Sequence, residues 1–371
     1  MSLTRLSAVA RKEVLHLRRD RRSLILAFLL PVILTVLFGY AISWDVDNIE
    51  TAVLDQDRSK ASRELLDAFR ASGYFRLSTF LENPGEIKGL IDRSEVRIVL
   101  VIPPDFTRDL GAGRTARIQA IVDGSDANTA NIAMGYARAI VQSYSLRITS
   151  EGPPFRPPIR VESRVWYNEE LSSRNMIVPG LVAVIMMIIA AMLTSLTIAR
   201  EWERGTMEQL AATPVTRTEV VLGKMLPYIG IGLFDVFGVS AIGILLFAVP
   251  FRGSPLLFIP LSTAFLVGSL GMGMLISAVT RSQVLATQIA MVTTYLPAFL
   301  LSGFMFDVDV MPPVLKWLTY LIPARYFLVV TRGIFLKGVG AEVLWVQGLL
   351  MIAFAGAGFL AAVSAFRKEI E

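Results

Sequence analysis

The sequence predicts an α-helical polytopic membrane protein with six membrane-spanning helices. Hydrophobic residues make up 54% of the 371 residues, and the mean hydropathy of +0.57 is above the range of soluble globular proteins. Apolar runs of about 20 residues can cross a bilayer as helices. Six such runs occur, at about 24–43, 176–199, 220–250, 254–280, 282–306 and 343–366.

The distribution of cations predicts the orientation. The first 23 residues carry seven Lys or Arg residues against two acidic ones, and further cations flank the second, third and fourth runs and follow the sixth. Because Lys and Arg favour short cytoplasmic loops, both termini are expected in the cytoplasm. Four cations of the last outer loop oppose this orientation: Lys316, Arg325, Arg332 and Lys337. No cleavage site follows the first apolar run, so it is expected to stay as a signal anchor.

Residues 1–23 are expected to form an interfacial amphipathic helix on the inner leaflet. Five apolar residues repeat there at helical spacing, with Lys and Arg on the opposite side: Leu3, Leu6, Ala10, Val14 and Leu17. The alternative is a disordered basic tail. His16, the single histidine, lies in this basic segment and is expected to be a membrane-surface residue. With no cysteine, the sequence offers no thiolate for a disulfide, a metal site or a nucleophile.

Residues 44–174 are expected to form an extracytoplasmic α/β domain between the first two spans. Strands at 49–55, 95–103, 116–123 and 159–167 alternate with helices at 60–71 and after Gly124, a pattern typical of α/β folds.

Residues 198–215, IAREWERGTMEQLAATPV, form a charged island between the second and third apolar runs. Charged residues at i,i+4 spacing and a terminating Pro214 predict an amphipathic coupling helix at about 200–213. Thr216 and Glu219 form a capping box that begins the next helix. A helix that is fixed at both ends can transmit force from a soluble partner that binds it, whereas a flexible loop cannot.

Residues 175–371 hold the other five spans and one shorter apolar segment. The segment at about 307–330 includes an apolar stretch, 314–324, that contains Trp317 and Tyr320 and is too short to span, which favours a re-entrant or interfacial helix pair before the sixth span. Pro227 and Pro297 are candidate hinges, because proline kinks helices. Asp235 lies roughly 22 Å into the third span. It is a candidate contact for a cationic substrate in a translocation path, or a carboxyl group hydrogen-bonded to a neighbouring helix.

Several segments together resemble one known family. The residues that carry the resemblance are Glu201, Glu203, Arg204, Gly205, Thr206, Glu208, Gln209, Leu210, Thr213, Pro214 and Val215, with WYNEELSSRNMIVPGL (166–181), GKMLPY (223–228), VPFRGS (249–254), LSGFMF (301–306) and YLIPARYFLVVTRGIFLKG (320–338). The chain resembles the ABC-2 type permeases, the membrane subunits of ATP-driven exporters. It resembles the subgroup with a large outer domain. Asp307-Val308-Asp309 is more acidic than that pattern, which leaves a gating role for this turn open.

The resemblance implies that separate ATPase subunits dock on the coupling helix and that two permeases pair, as a homodimer or a heterodimer. The docking residues that we expect are Glu201, Trp202, Arg204, Glu208, Gln209 and Leu210. Trp202 could instead be an interfacial anchor. The sequence has no GxxxxGK[ST] loop, so we expect no cofactor on this chain and ATP with Mg²⁺ on the partner. No catalytic residue, metal site or nucleic-acid partner is expected.

The expected function is export of a hydrophobic or amphipathic substrate, drug-like or lipid-like, across a bacterial inner membrane. A periplasmic adaptor could receive it from the outer domain. Two rivals stay open: a mechanotransmitter that moves its outer domain without conducting substrate, and a membrane receptor or scaffold. An intramembrane enzyme has less support, since no HExxH or GxSxG motif occurs at membrane depth.

Overall fold

The computed structural model describes residues 2–42, 48–125, 127–149, 167–168 and 172–366. The chain forms two compact units. One comprises Met1–Ser43 with Val165–Glu371, and the other comprises Trp44–Arg164.

The chain begins with helix α1 (Leu3–Arg19), followed after Asp20 by α2 (Arg21–Ala41). The buried residues of α1 are Val9, Glu13 and Leu17. Of the predicted apolar stripe, Leu17 is buried, whereas Leu3 and Val14 are exposed, as residues that face lipid would be. The buried side of the helix packs on the protein and contains a carboxylate, and the interfacial position of α1 stays a prediction.

In its described residues, the second unit contains four strands and four helices in alternation. They are β1 (Ile49–Asp55), α3 (Lys60–Ala71), β2 (Phe75–Phe80), α4 (Glu86–Asp92), β3 (Ile98–Ile102), α5 (Phe106–Gly111), β4 (Gln119–Val122) and α6 (Ala127–Thr149). The sheet has the order β2-β1-β3-β4; β1 is parallel to both neighbours, and β3 and β4 are antiparallel. This is the α/β alternation that the sequence predicts. The location of the unit outside the cell stays a prediction.

Two elements of this unit were not predicted. Strand β2 lies at the sheet edge and alternates buried or half-buried with exposed residues, and α4 is a short helix. Neither carries a long apolar run, so the signal for both in the sequence is weak. The strand predicted at 159–167 lies outside the described residues except for Tyr167.

The rest of the first unit is helical. Its elements are α7 (Ser173–Glu203), α8 (Met207–Ala211), α9 (Arg217–Phe247), α10 (Pro255–Thr280), α11 (Gln283–Ala290), a π-helical turn (Met291–Tyr295), α12 (Leu296–Leu300), a 3₁₀ turn (Val308–Val310), α13 (Pro313–Thr319), α14 (Pro323–Arg332), a second π-helical turn (Gly333–Lys337) and α15 (Ala341–Ala365).

Among the described residues, five helical segments are long and apolar enough to cross a membrane: α7, α9, α10, α11 with α12, and α15. The first predicted span corresponds to α2, whose apolar part, Ala27–Ala41, is shorter than these. The helices α13 and α14 are bent by 76° at their junction, as a broken span or a re-entrant pair would be. The described part of the chain thus contains five or six candidate spans, and the predicted count of six stays a prediction.

Helix α7 is the centre of the first unit, since 89% of its most apolar window is buried. Small residues let other helices approach closely, as is usual for packing in lipid. A Cβ atom on Gly271 of α10 would collide with the backbone of Gly358 in α15, and one on Gly273 would collide with Ala191 of α7. These approaches fix α7, α10 and α15 as one packed group.

Candidate functional site

The island does not form one continuous helix from 200 to 213. Helix α7 continues to Glu203, and a separate five-residue helix, α8, follows. Gly205 has φ +67°, and the N–H groups of Gly205 and Thr206 donate to the carbonyls of Trp202 and Glu201 at 3.1 and 3.0 Å. This is the Schellman arrangement, which ends a helix at a left-handed residue. The prediction of a single helix missed the stop signal that Gly205 provides.

Glu201 lies inside the protein, with 3% of its surface exposed. One carboxylate oxygen is 3.1 Å from Lys224 Nζ and 3.0 Å from Lys12 Nζ. The other accepts a hydrogen bond from Thr206 Oγ1 at 2.5 Å. A side chain enclosed in this way does not suit a direct contact with a soluble partner.

Lys224 joins Glu201 to the first helix of the chain. Its Nζ also lies 3.1 Å from a carboxylate oxygen of Glu13, whose other oxygen accepts a hydrogen bond from Tyr228 at 2.9 Å. Lys224 and Glu13 are 3% and 4% exposed. Buried charges are tolerated only when they are paired and hydrogen-bonded, so these groups hold one another in place. We call Glu13, Glu201, Lys224 and Tyr228 the buried network.

The network ties together α1, α7 and α9. The network was not predicted from the sequence, although two signals were available. Glu13 lies four residues after Val9 and four before Leu17, in the middle of the buried side of α1. Lys224 lies two turns inside α9, where a lone cation needs a partner.

Helix α1 contacts the end of the island as well. The N–H of Ser2 donates to Glu219 Oε1 at 2.6 Å, and the guanidinium of Arg5 donates to the carbonyl of Pro214 at 2.7 Å. A Cβ atom on Gly223 would approach Val9 to 2.8 Å, so α1 and α9 lie almost backbone to backbone. The island is therefore held by α1 near both of its ends.

The start of the island is also attached to the loop between α10 and α11. The guanidinium of Arg281 lies 4.4 Å from the ring centroid of Trp202, and the N–H of Gln283 donates to Glu203 at 2.7 Å. Trp202 lines a cavity of about 380 Å³ that α10 and the end of α15 also line. Arg200 forms an ion pair with Asp20 at 2.9 Å.

The predicted docking residues fall into two groups. Arg204, Glu208 and Gln209 are exposed. Leu210 is buried at 8% exposure, Trp202 is half-buried against Arg281, and Glu201 belongs to the buried network. The exposed docking residues are thus all polar, and we call them the polar tip (Arg204, Glu208 and Gln209).

His16 lies beside the buried network. Ligand atoms of His16, Glu13 and Glu201 lie within 4.8 Å of one another, a spacing that a metal ion could bridge. The ammonium of Lys224 already lies between the two carboxylates, and Lys12 supplies a second positive charge at Glu201. Partial burial lowers the pKa of His16 from its usual value. The arrangement is that of an ion-pair network next to a neutral imidazole.

The remaining predicted residues lie in the spans. Asp235 is 3% exposed, and its Oδ2 has no hydrogen-bond partner in the part of the chain that the structure describes. One turn earlier, Gly232 packs against Leu266 of α10, so α9 and α10 are close at this level. Pro227 lies within the continuous helix α9. Pro297 is the second residue of α12, just after the π-helical turn that ends at Tyr295, and such turns often mark functional positions.

The acidic turn before α13 has a structural role. Asp307 accepts a hydrogen bond from the N–H of Asp309 at 2.9 Å, and Asp309 pairs with Lys316 at 2.7 Å. The ammonium group of Lys316 lowers the pKa of Asp309. The turn thus supports α13.

Comparison with known proteins finds relatives along nearly the whole chain. The model of a family described as ABC-2 family transporter protein matches residues 21–363. The chain is 40% identical over 357 residues to "Probable multidrug ABC transporter permease YbhS" of Escherichia coli (strain K12), which covers 96% of this chain and 94% of the relative. It is 33% identical over 366 residues to "Probable multidrug ABC transporter permease YbhR" of the same organism, covering 99% of both. It is 21% identical over 393 residues to "Linearmycin resistance permease protein LnrN" of Bacillus subtilis (strain 168), covering 98% of this chain and 100% of the relative.

Proposed function

The chain belongs to the ABC-2 family of ABC transporter permeases, and from this membership we propose that it is the membrane subunit of an exporter driven by a separate ATPase. As a multi-pass membrane protein it supplies the helices through which substrate moves. We place it in the bacterial inner membrane with both termini in the cytoplasm. In this orientation α1, the island and the loop between α10 and α11 lie on the cytoplasmic side of the membrane, where ATP is present.

The observation that carries the proposal is the pairing of an exposed polar tip with a buried network directly behind it. An ATPase subunit would contact Arg204, Glu208 and Gln209, which are exposed. Movement of this tip is passed on through the turn at Gly205 to Glu201. Because Glu201 is bonded to Lys224 and thereby to Glu13, the displacement reaches α7, α9 and α1 together.

The source of energy would be ATP bound with Mg²⁺ by the partner. The sequence lacks the phosphate-binding loop of ATPases, and the island offers a docking surface instead. Two permeases, as a homodimer or as a heterodimer, would enclose one path, with an ATPase under each. Closure of the ATPase pair would then move the cytoplasmic halves of the spans.

The substrate would be hydrophobic or amphipathic, drug-like or lipid-like. Two of the relatives carry the word multidrug in their names. The spans are strongly apolar, and Asp235 is the acidic group that we propose for contact with cationic substrates. That contact requires α9 and α10 to part, because Asp235 is enclosed between helices in this conformation. The second unit, which we place outside the membrane, would deliver substrate to a periplasmic adaptor.

The rival functions have less support. A mechanotransmitter or a receptor would act through its outer unit without conducting substrate. The matching family and the relatives are described as transporters and permeases.

The experiment is co-purification of the full chain in mild detergent, followed by identification of the bound proteins. We expect an ATP-hydrolysing subunit with wild type and its loss from a variant in which Arg204, Glu208 and Gln209 are changed to alanine. The matched control changes three exposed residues of the second unit: Glu82, Arg117 and Gln142. Absence of an ATPase from the wild-type sample, or its retention by the tip variant, would contradict the docking proposal.

A further inference from the structure

Helix α1 has an outward face that none of the contacts above uses. Arg11, Arg18 and Arg19 lie on this face, which we call the basic face, and all three side chains are exposed. No acidic side chain in the described part of the chain pairs with any of them. The acidic residue of α1, Glu13, points the opposite way into the buried network. The basic face therefore carries three uncompensated positive charges.

Apolar surface accompanies these charges. Leu15 is 44% exposed and lies between Arg11 and Arg19 around the helix, and Val14, 41% exposed, lies on the other side of Arg11 and Arg18. An exposed leucine surrounded by guanidinium groups is unusual for a surface that faces only water. It is typical of a helix at a membrane interface, where the apolar side chain enters the acyl boundary and the cations meet phosphate groups.

The position of α1 along the chain supports this partner. Only Asp20 separates its last residue from α2, whose apolar part begins at Ala27. Its buried side packs on Gly223 and Lys224, within the first turns of the candidate span α9. The basic face thus lies at the polar ends of two membrane helices, at the level of the lipid headgroups.

We propose that the basic face binds the phosphate groups of anionic phospholipids of the inner leaflet, and that this binding holds α1 in the position that clamps the island. The inference rests on the proposed function, because it takes the island to be where the ATPase acts. The coupling is direct: α1 presents three arginines to lipid on one side. On the other side it holds Glu201 through Lys12 and Lys224 through Glu13.

The test uses the complete permease with its ATPase in nanodiscs of phosphatidylcholine, alone or with increasing phosphatidylglycerol. The variant changes Arg11, Arg18 and Arg19 to glutamine. The control changes Lys88, Arg117 and Arg138, exposed cations of the second unit, in the same way. ATP hydrolysis is measured in the nanodiscs. The protein is then extracted from the same samples in mild detergent, and mass spectrometry measures the phosphatidylglycerol that it retains.

For wild type and control we expect retained lipid enriched in phosphatidylglycerol over the bulk mixture, and ATP hydrolysis that rises with its content. Each cation near an anionic bilayer contributes roughly fivefold to binding, so loss of three should return the retained lipid to the bulk ratio. The rise in hydrolysis should vanish as well. Salt should weaken the enrichment for wild type, since these charges are screened.

Equal enrichment in wild type and variant would overturn the proposal. Loss of the ATPase from the variant with unchanged lipid retention would also overturn it, because the basic face would then contact an acidic surface of the ATPase. Absence of an ATPase from wild type would refute the proposed function alone, since lipid retention by the permease is measured separately.

Discussion

The ammonium group of Lys224 lies 3.1 Å from a carboxylate oxygen of Glu201, and both side chains are 4% exposed. One residue belongs to the charged island and the other lies two turns inside a membrane helix. A second carboxylate, Glu13, approaches the same ammonium group at 3.1 Å. A displacement of the island must therefore either move α9 and α1 with it or break a buried ion pair.

Replacing Lys224 by methionine should strongly destabilise the protein. The change leaves Glu13 and Glu201 close together without their shared cation, and removal of one partner of a buried pair costs on the order of 3–5 kcal/mol. Lys12→Met is the matched control. Lys12 binds the same oxygen of Glu201 but is 41% exposed, so its loss should cost under about 1 kcal/mol. Thermal unfolding of both variants in detergent checks this order, and equal effects would contradict it.

Replacing Gly205 by alanine should weaken association with the ATPase. The residue has φ +67°, and a Cβ atom there would meet no other atom within 4 Å. The effect is therefore one of backbone conformation, at about 1–2 kcal/mol. Gly205→Asn is the control, because asparagine tolerates the left-handed region. We expect the amount of co-purified ATPase to fall for alanine and much less for asparagine. The same loss with both would mean that conformation is not the cause.

Replacing Asp235 by asparagine should reduce export of cationic compounds by roughly tenfold or more while sparing neutral ones, as loss of a charged contact would. Thermal stability should not fall, because Oδ2 has no partner to lose among the described residues. Uptake of ethidium and of a neutral fluorescent amphiphile into inverted vesicles measures both. Ser240→Ala, another buried polar group without a partner, serves as control. Equal export of both compounds would remove Asp235 from the path.

Acidification should destabilise the protein through His16. Burial lowers its pKa, an effect that Lys12 reinforces and Glu13 opposes. The folded protein therefore prefers the neutral ring, while the unfolded chain takes up a proton near pH 6.5. Stability should fall as the pH drops through about 6.5 toward the lower pKa of the folded state, since the unfolded state binds more protons there. His16→Gln should show a shallower decline in thermal unfolding temperature, and parallel curves for the two proteins would contradict this.

The apolar runs and the alternation in the second unit could be predicted because each follows from local composition. The break at Gly205 was also local, but the i,i+4 charges of the island favoured one helix and outweighed it. The burial of Glu201 could not be predicted, because its partners Lys12 and Lys224 lie 189 and 23 residues away. An exposed and a buried glutamate look alike in sequence until the packing of α1 on α9 is known.

The coupling role of the buried network is tested most directly by exchanging two of its charges. Transport of ethidium per ATP hydrolysed would be measured in proteoliposomes with the ATPase for Glu13→Lys, for Lys224→Glu and for both changes together. We expect each single variant to lose both stability and coupling, and the double variant, which restores opposite charges between positions 13 and 224 but not between 201 and 224, to regain part of both. Full coupling in the single variants, or a folded, ATPase-bound double variant no better than they are, would contradict a coupling role for the network.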